Sequence, residues 1–126
     1  MKSLGRHLLL EFYGCNAKLL NDVNKVEQIM VAAAKACEAQ VVDVVFHRFN
    51  PHGVSGVVVI AESHFSIHTW PEYGFVSIDL FTCGEEIDPW KAHQYLVKRL
   101  KPKNSTVLEL KRGILSLPDS EIKHKP

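Results

Sequence analysis

The sequence is short of several things, and each shortage excludes a class of protein. Cysteine is scarce: Cys15, Cys37 and Cys83 are an odd number with no C-x-x-C pair, so neither a disulfide framework nor a zinc knuckle is available. Neither sign of charge is in excess. The chain carries 15 Lys and Arg against 14 Asp and Glu, a net charge of +1, which gives no footing for a nucleic-acid binder and none for disorder. Long apolar runs are missing, and a stretch such as Val57–Ala61 is far short of a membrane span. The start, Met1-Lys2-Ser3-Leu4-Gly5-Arg6-His7, lacks a signal-peptide core because Glu11 soon interrupts the apolar stretch. The expectation is a cytoplasmic protein with no membrane and no nucleic-acid partner. No solenoid-period repeat and no low-complexity tract is present. What remains is 126 residues, 46% of them hydrophobic, enough for one compact domain over 1–126.

Periodicity places the elements. His7 to Tyr13 reads as a strand ending at Gly14. Asn16 is a candidate helix N-cap, and Leu19, Val23, Val26, Met30, Ala33 and Cys37 then recur at steps of three and four, one apolar helical stripe. Val41 to Phe49 and Ser55 to Ala61 read as strands around the turn Asn50-Pro51-His52-Gly53. Phe65 to Trp70 alternates, with Phe65, Ile67 and Thr69 on one side and His64, Ser66, His68 and Trp70 on the other. Phe75 to Thr82 alternates again after the turn Pro71-Glu72-Tyr73-Gly74. Asp88-Pro89-Trp90 is a helix start, with a carboxylate cap and proline at the first helical position. That helix runs to about Leu100, and Thr106 to Lys111 is a last strand. The tail from Ser116 to Pro126 is polar and expected to be loose. This order predicts an α+β fold, a two-layer sandwich of a mainly antiparallel sheet with two helices on one face. The other face, with Phe49, Trp70 and Phe81, is expected to pack in a homodimer.

One segment carries chemistry. It runs through Phe46-His47-Arg48-Phe49-Asn50-Pro51-His52-Gly53-Val54-Ser55-Gly56-Val57, then Ile60-Ala61-Glu62-Ser63-His64-Phe65-Ser66-Ile67-His68-Thr69-Trp70-Pro71-Glu72-Tyr73-Gly74, and closes with Asp79-Leu80-Phe81-Thr82-Cys83-Gly84. From about Leu4 to Trp90, including the Gly-Arg-His start, the chain resembles the short prokaryotic type of S-adenosylmethionine decarboxylase proenzyme. The run E-S-H-x-S-I-H-T-W-P-E-Y-G is the most specific part of that resemblance.

The resemblance implies a self-cleaving chain. The Ser63 hydroxyl attacks the Glu62 carbonyl and turns the amide into an ester. His68 removes the Ser63 Cα proton, with Ser55 in support, and β-elimination separates 1–62 from 63–126. Hydrolysis of the resulting dehydroalanine leaves a covalent pyruvoyl group, the only cofactor implied. Decarboxylation of an amino acid needs an electron sink, which side chains do not supply and a pyruvoyl carbonyl does, through a Schiff base. Cys83 matches the family's proton donor. Phe49 and Trp70 match adenine-stacking positions, and Glu72 a ribose-binding carboxylate. The implied substrate is S-adenosylmethionine, the implied product an aminopropyl donor for polyamine synthesis, and the implied assembly a homodimer.

Plainer readings stand beside these. Ser63 alone is a turn serine, Cys83 a small buried hydrophobe, and Phe49 and Trp70 core or interface aromatics. His64 and His68 invite a metal, but on a strand they sit roughly 13 Å apart at about 3.3 Å per residue, so no metal is expected. Cys15 and Cys37 read as structural. An arginine or ornithine decarboxylase on the same scaffold would need the same processing residues but not the aromatic pair and Glu72. An inactive binding paralogue would have no use for Ser63, His68 and Cys83 together. The purified protein is expected to give two chains, 1–62 and 63–126, in a denaturing mass spectrum, the second resistant to Edman sequencing. Ser63→Ala is expected to stay one uncut chain; two fragments from it would refute the mechanism.

Overall fold

Period-two alternation dominates the chain, and the computed structural model, which describes residues 3–123, gathers it into one sheet. In order come β1 (Ser3–Tyr13), α1 (Ala17–Leu20), α2 (Val23–Ala36), β2 (Gln40–Arg48), β3 (Val54–Ala61), β4 (Ser63–Trp70), a 3₁₀ turn (Pro71–Tyr73), β5 (Phe75–Cys83), α3 (Pro89–Leu100), β6 (Asn104–Ile114) and a second 3₁₀ turn (Asp119–Glu121). The strand order is β2-β3-β4-β5-β1-β6, and each pairing is antiparallel. Short links let β2 to β5 follow one another as a meander.

One face of the sheet is the core face. Leu8, Leu10 and Phe12 of β1, Val58 and Ile60 of β3, Phe65 and Ile67 of β4, and Val76, Ile78 and Leu80 of β5 are all buried on it. They pack with Val26, Ile29, Met30 and Ala33 of α2 and Ala92, Leu96 and Leu100 of α3. Each fully buried large aliphatic side chain is worth about 1.5–3 kcal/mol relative to exposure. The expected two-layer arrangement with helices on one face is therefore observed.

The helical layer departs from the expected single stripe. The chain breaks at Asn21 and Asp22 into a one-turn α1 and a long α2. Asn16 caps α1, its side chain accepting from Leu19 N–H at 3.0 Å. Asp22 caps α2, accepting from Lys25 N–H at 3.1 Å. The break changes the buried set: Leu20, Ile29 and Ala34 join the core, while Leu19 and Val23 are only half-buried. Asp22 reads as an off-stripe charge in sequence, and its capping role needs the helix to start anew behind it. The start of α3 is as expected, with the Asp88 carboxylate accepting from Trp90 N–H at 3.0 Å.

The outer strands are longer than alternation suggests. β1 begins at Ser3 and β6 spans Asn104–Ile114, because the two pair along their whole length, Ser3 with Ile114 and Tyr13 with Asn104. Backbone pairing extended both beyond their apolar segments. The expected loose tail contains the exposed turn Asp119–Glu121; its last residues, 124–126, and the first two residues of the chain lie outside the described residues.

No helix among the described residues covers the second face. Val45, Val57, Val59, Leu108 and Leu110 are exposed there. Between them lies a polar network: His7 Nε2 is 3.0 Å from Asp79 Oδ1, and Ser66 Oγ donates to Asp79 Oδ2 at 3.1 Å. Arg112 sits over the Phe81 ring, 5.5 Å from its centre. No helix among the described residues is long and apolar enough to cross a membrane.

His93 of α3 lies against the rings of Phe12 and Trp90, and burial holds its pKa below the ordinary value. The unfolded chain takes up that proton near pH 6.5 while the fold resists it, so this part of the stability is present above about pH 6.5 and lost as pH falls. His93→Gln is expected to lose less stability than the parent between about pH 7.5 and 5.5. Urea titrations at both values measure this, and equal losses would remove His93 from the acid response.

Candidate active site

The residues singled out in sequence assemble as two groups, at opposite ends of β4. The first surrounds the link between β3 and β4, where Glu62 alone separates the two strands. Ser63 opens β4 opposite Thr82 of β5, and Cys83 ends β5. Ser63 Oγ lies 3.0 Å from Cys83 Sγ. The Cys83 backbone N–H donates to the Glu62 carbonyl at 2.9 Å. Gly5 of β1 faces this pair: a Cβ there would stand 3.2 Å from Cys83 Sγ and 2.6 Å from the Phe81 ring, so glycine is what lets β1 approach.

Two polar atoms here are buried without a hydrogen-bond partner, Glu62 Oε2 and Thr82 Oγ1. Orphaned buried polar groups are uncommon and call for an explanation such as a reactive site. A hydroxyl, a thiol and a polarised carbonyl within contact of one another fit a place where a backbone bond is remade, so the residues present fit a pyruvoyl group derived from Ser63.

The second group lies at the far end of β4. Ser55 of β3 stands opposite His68, and Ser55 Oγ is 2.8 Å from His68 Nδ1. Both border a cavity of about 370 Å³ that also takes in Phe49, His52, Trp70 and Glu72, in the size range of small-molecule sites. His68 and Trp70 are ring neighbours, 6.4 Å between centres. His52 Nε2 is 2.9 Å from Glu72 Oε2. A larger cavity of about 690 Å³ lies between α1 and the end of α3, lined with Lys18, Lys25, Arg99, Lys101 and Lys103. It takes in none of the candidate catalytic or binding residues singled out in sequence, so the smaller cavity is the candidate site.

Two residues that sequence reasoning passed over build this end. Thr69, buried on the core face, donates from Oγ1 to the Leu20 carbonyl at 2.8 Å and accepts from Val54 N–H at 2.9 Å. Asn21 accepts from Gly53 N–H through Oδ1 at 2.9 Å, and its carbonyl takes Arg48 Nε at 3.3 Å. The break between α1 and α2 thus holds the loop carrying Phe49 and His52. No local pattern marks it, because both contacts cross the fold.

The two groups do not meet within one chain. Ser63 and His68 share β4 five residues apart, roughly 16 Å at about 3.3 Å per residue. His64 and His68 point to the same open face but serve different surroundings: His64 packs edge-on against Phe81, and His68 bonds Ser55. Among the described residues no three His, Cys, Asp or Glu come together as a metal-binding group. Burial pushes the Cys15 thiol up to about 11 and raises that of Cys37, which keeps both in the unreactive thiol form.

A family model described as S-adenosylmethionine decarboxylase matches residues 6–113. The chain belongs to the S-adenosylmethionine decarboxylase family. Known relatives agree. A protein of Thermotoga petrophila named S-adenosylmethionine decarboxylase proenzyme is 59% identical over 113 residues, covering 90% of this chain and 87% of that one. A protein of the same name from Caldanaerobacter subterraneus is 53% identical over 118 residues, covering 94% and 95%. The crystal structure of the adenosylmethionine decarboxylase of Aquifex aeolicus superposes with a TM-score of 0.87 at 34% identity, covering 99% of this chain and 100% of that one. This chain therefore shares its fold with a solved adenosylmethionine decarboxylase.

Proposed function

We propose that this chain is a proenzyme that cuts itself between Glu62 and Ser63 and then decarboxylates S-adenosylmethionine. The observation that carries the reading is the contact of Ser63 Oγ with Cys83 Sγ while the Glu62 carbonyl rests on the Cys83 N–H. The family match and the relatives' names support the substrate.

In processing, the Ser63 oxygen forms a bond to the Glu62 carbonyl carbon, and the Glu62–Ser63 C–N bond breaks. The Cys83 N–H is already placed to stabilise negative charge growing on that carbonyl oxygen; one such donor is commonly worth about 2.7–4 kcal/mol in a transition state. The ester then loses the Ser63 Cα proton to His68, whose Nδ1 is engaged by Ser55 and whose Nε2 is left for the proton. Elimination frees the Glu62 carboxylate as the end of 1–62. Water then replaces the nitrogen of dehydroalanine with oxygen and releases ammonia. When formed, the pyruvoyl carbonyl supplies the electron sink for the carbanion left by CO₂. In turnover, Cys83 Sγ holds the proton that the substrate carbon takes up. Phe49 and Trp70 offer aromatic faces to the adenine and the sulfonium cation, and Glu72 accepts the ribose hydroxyls. The decarboxylated product retains the aminopropyl group that polyamine synthesis consumes.

Distance makes the homodimer part of the mechanism. A base must come within about 2.6–3.2 Å of the group it serves, or reach it through one water, and His68 is roughly 16 Å along the strand from Ser63 of its own chain. A second copy on the open face solves this. In a two-fold contact each surface meets its own mate, so the Ser63 end of one protomer can meet the His68 end of the other, and two equivalent sites form. The exposed Val45, Val57, Val59 and Leu108 support that packing.

Complementation tests both parts. His68→Ala and Ser63→Ala, each expressed alone, are expected to stay uncut. Co-expressed with different tags, they are expected to yield cleavage of the His68→Ala chain only, because its Ser63 meets an intact His68 on its mate. An uncut mixture with mixed dimers present would place His68 in its own chain's chemistry or in none. Decarboxylation of S-adenosylmethionine, followed as CO₂ release by the parent, tests the substrate.

A further inference from the structure

We propose that His52 is a positioning residue for substrate binding: it holds one oxygen of Glu72 and so presents the other to the substrate's ribose. The inference rests on the reading of Glu72 as the ribose-binding carboxylate, and goes beyond it.

His52 Nε2 lies 2.9 Å from Glu72 Oε2, with both side chains about a third exposed, at 39% and 35%. A pair so open to water contributes little to stability, so its use lies in the cavity it borders. Both partners are tethered from behind. The loop of His52 is closed by a hydrogen bond from Phe49 N–H to the Gly53 carbonyl at 2.7 Å. Gly53, at φ +107°, donates its N–H to Asn21 Oδ1 at 2.9 Å. Glu72 sits in the 3₁₀ turn, anchored by buried Pro71 and closed by Gly74 in the left-handed region. The Gly74 carbonyl accepts from Cys15 N–H at 2.9 Å. Two fixed backbones therefore hold this imidazole and this carboxylate at bonding distance.

A glutamate has several rotatable bonds, and a free one would sample orientations that do not face the cavity. A cis-diol is gripped best by a carboxylate whose plane is already set, because fixing it beforehand removes an entropic cost from binding. The 2.9 Å contact with His52 restrains that carboxylate. Glu72 Oε2 is engaged, and Oε1 is the acceptor with no partner among the described residues. The ligand class that benefits is a nucleoside with a free ribose diol. A substrate without the diol gains nothing from the arrangement.

The experiment compares self-processed parent, His52→Ala, His52→Gln and Glu72→Gln in steady-state decarboxylation, using S-adenosylmethionine and its 2′-deoxyribose analogue. Complete cleavage into two chains and an unchanged thermal midpoint qualify each variant. Glu72→Gln calibrates the reading itself and is expected to raise KM for S-adenosylmethionine about tenfold or more, the loss of one charge-assisted contact. His52→Ala is expected to raise KM about five- to tenfold with kcat within twofold of the parent, and to change KM for the 2′-deoxy analogue by less than about twofold. His52→Gln, whose amide still donates to Glu72, is expected to recover most of the loss. A His52→Ala KM equal to the parent's, beside a raised Glu72→Gln KM, would overturn the proposal alone. An unchanged Glu72→Gln KM would overturn the ribose reading and the proposal with it. Equal KM increases for Ala and Gln at position 52, or for both substrates, would mean that His52 shapes the loop and does not orient Glu72.

Discussion

Everything in this site depends on the register of β3, β4 and β5. Ser55 meets His68 because β3 and β4 pair at that step, and Ser63 meets the end of β5 because β4 and β5 pair Ser63 with Thr82. The register is held from the other side of the sheet. Val58, Phe65, Ile67, Ile78 and Leu80 must all face the helices, and a slip of one residue would turn each outward and bury His68 in its place. Gly56 tightens the lock, since it lies under the Phe46 ring so closely that any Cβ would collide. The hydrophobic core is thus what aims the candidate side chains.

A strand of eight residues is also a ruler. β4 carries Ser63 at its first residue and His68, Trp70 and the Pro71–Tyr73 turn at its other end. The division gives the two ends of the strand different surroundings. The Glu62–Ser63 end has close polar groups, with Glu62 Oε2 and Thr82 Oγ1 buried and without partners. The His68 end has room, aromatic faces and a carboxylate: a cavity bordered by Phe49, Trp70 and Glu72. The open face between them holds Asp79, His7 and Ser66 in a polar network that Arg112 joins through His7, bordered by exposed aliphatic side chains.

The strands and α3 were legible from local signals. Alternation identified the inward faces of β4 and β5 correctly, and Asp88-Pro89 marked the start of α3. The helix break was not legible, because Asp22 caps a helix only if the preceding turn ends, and α1 ends where Leu20 and Asn21 find partners on β4 and on the loop before β3. The full lengths of β1 and β6 were hidden for a similar reason: their outer residues are ordered by pairing with each other and carry no apolar pattern of their own.

The sequence by itself determined the family and named the candidate residues of the site. The run from Glu62 to Gly74 is contiguous, and covalent neighbours can be read without a fold. It also determined which face of each strand is apolar, because side-chain period is a property of the chain. Only the tertiary structure decided which of those residues meet. Ser63 finds Cys83, twenty positions away, and His52 finds Glu72 across two turns, while Ser63 and His68, five positions apart, are kept from each other. The physical reason is that an extended strand separates near neighbours at a fixed rise per residue, whereas antiparallel pairing brings distant ones to within a hydrogen bond.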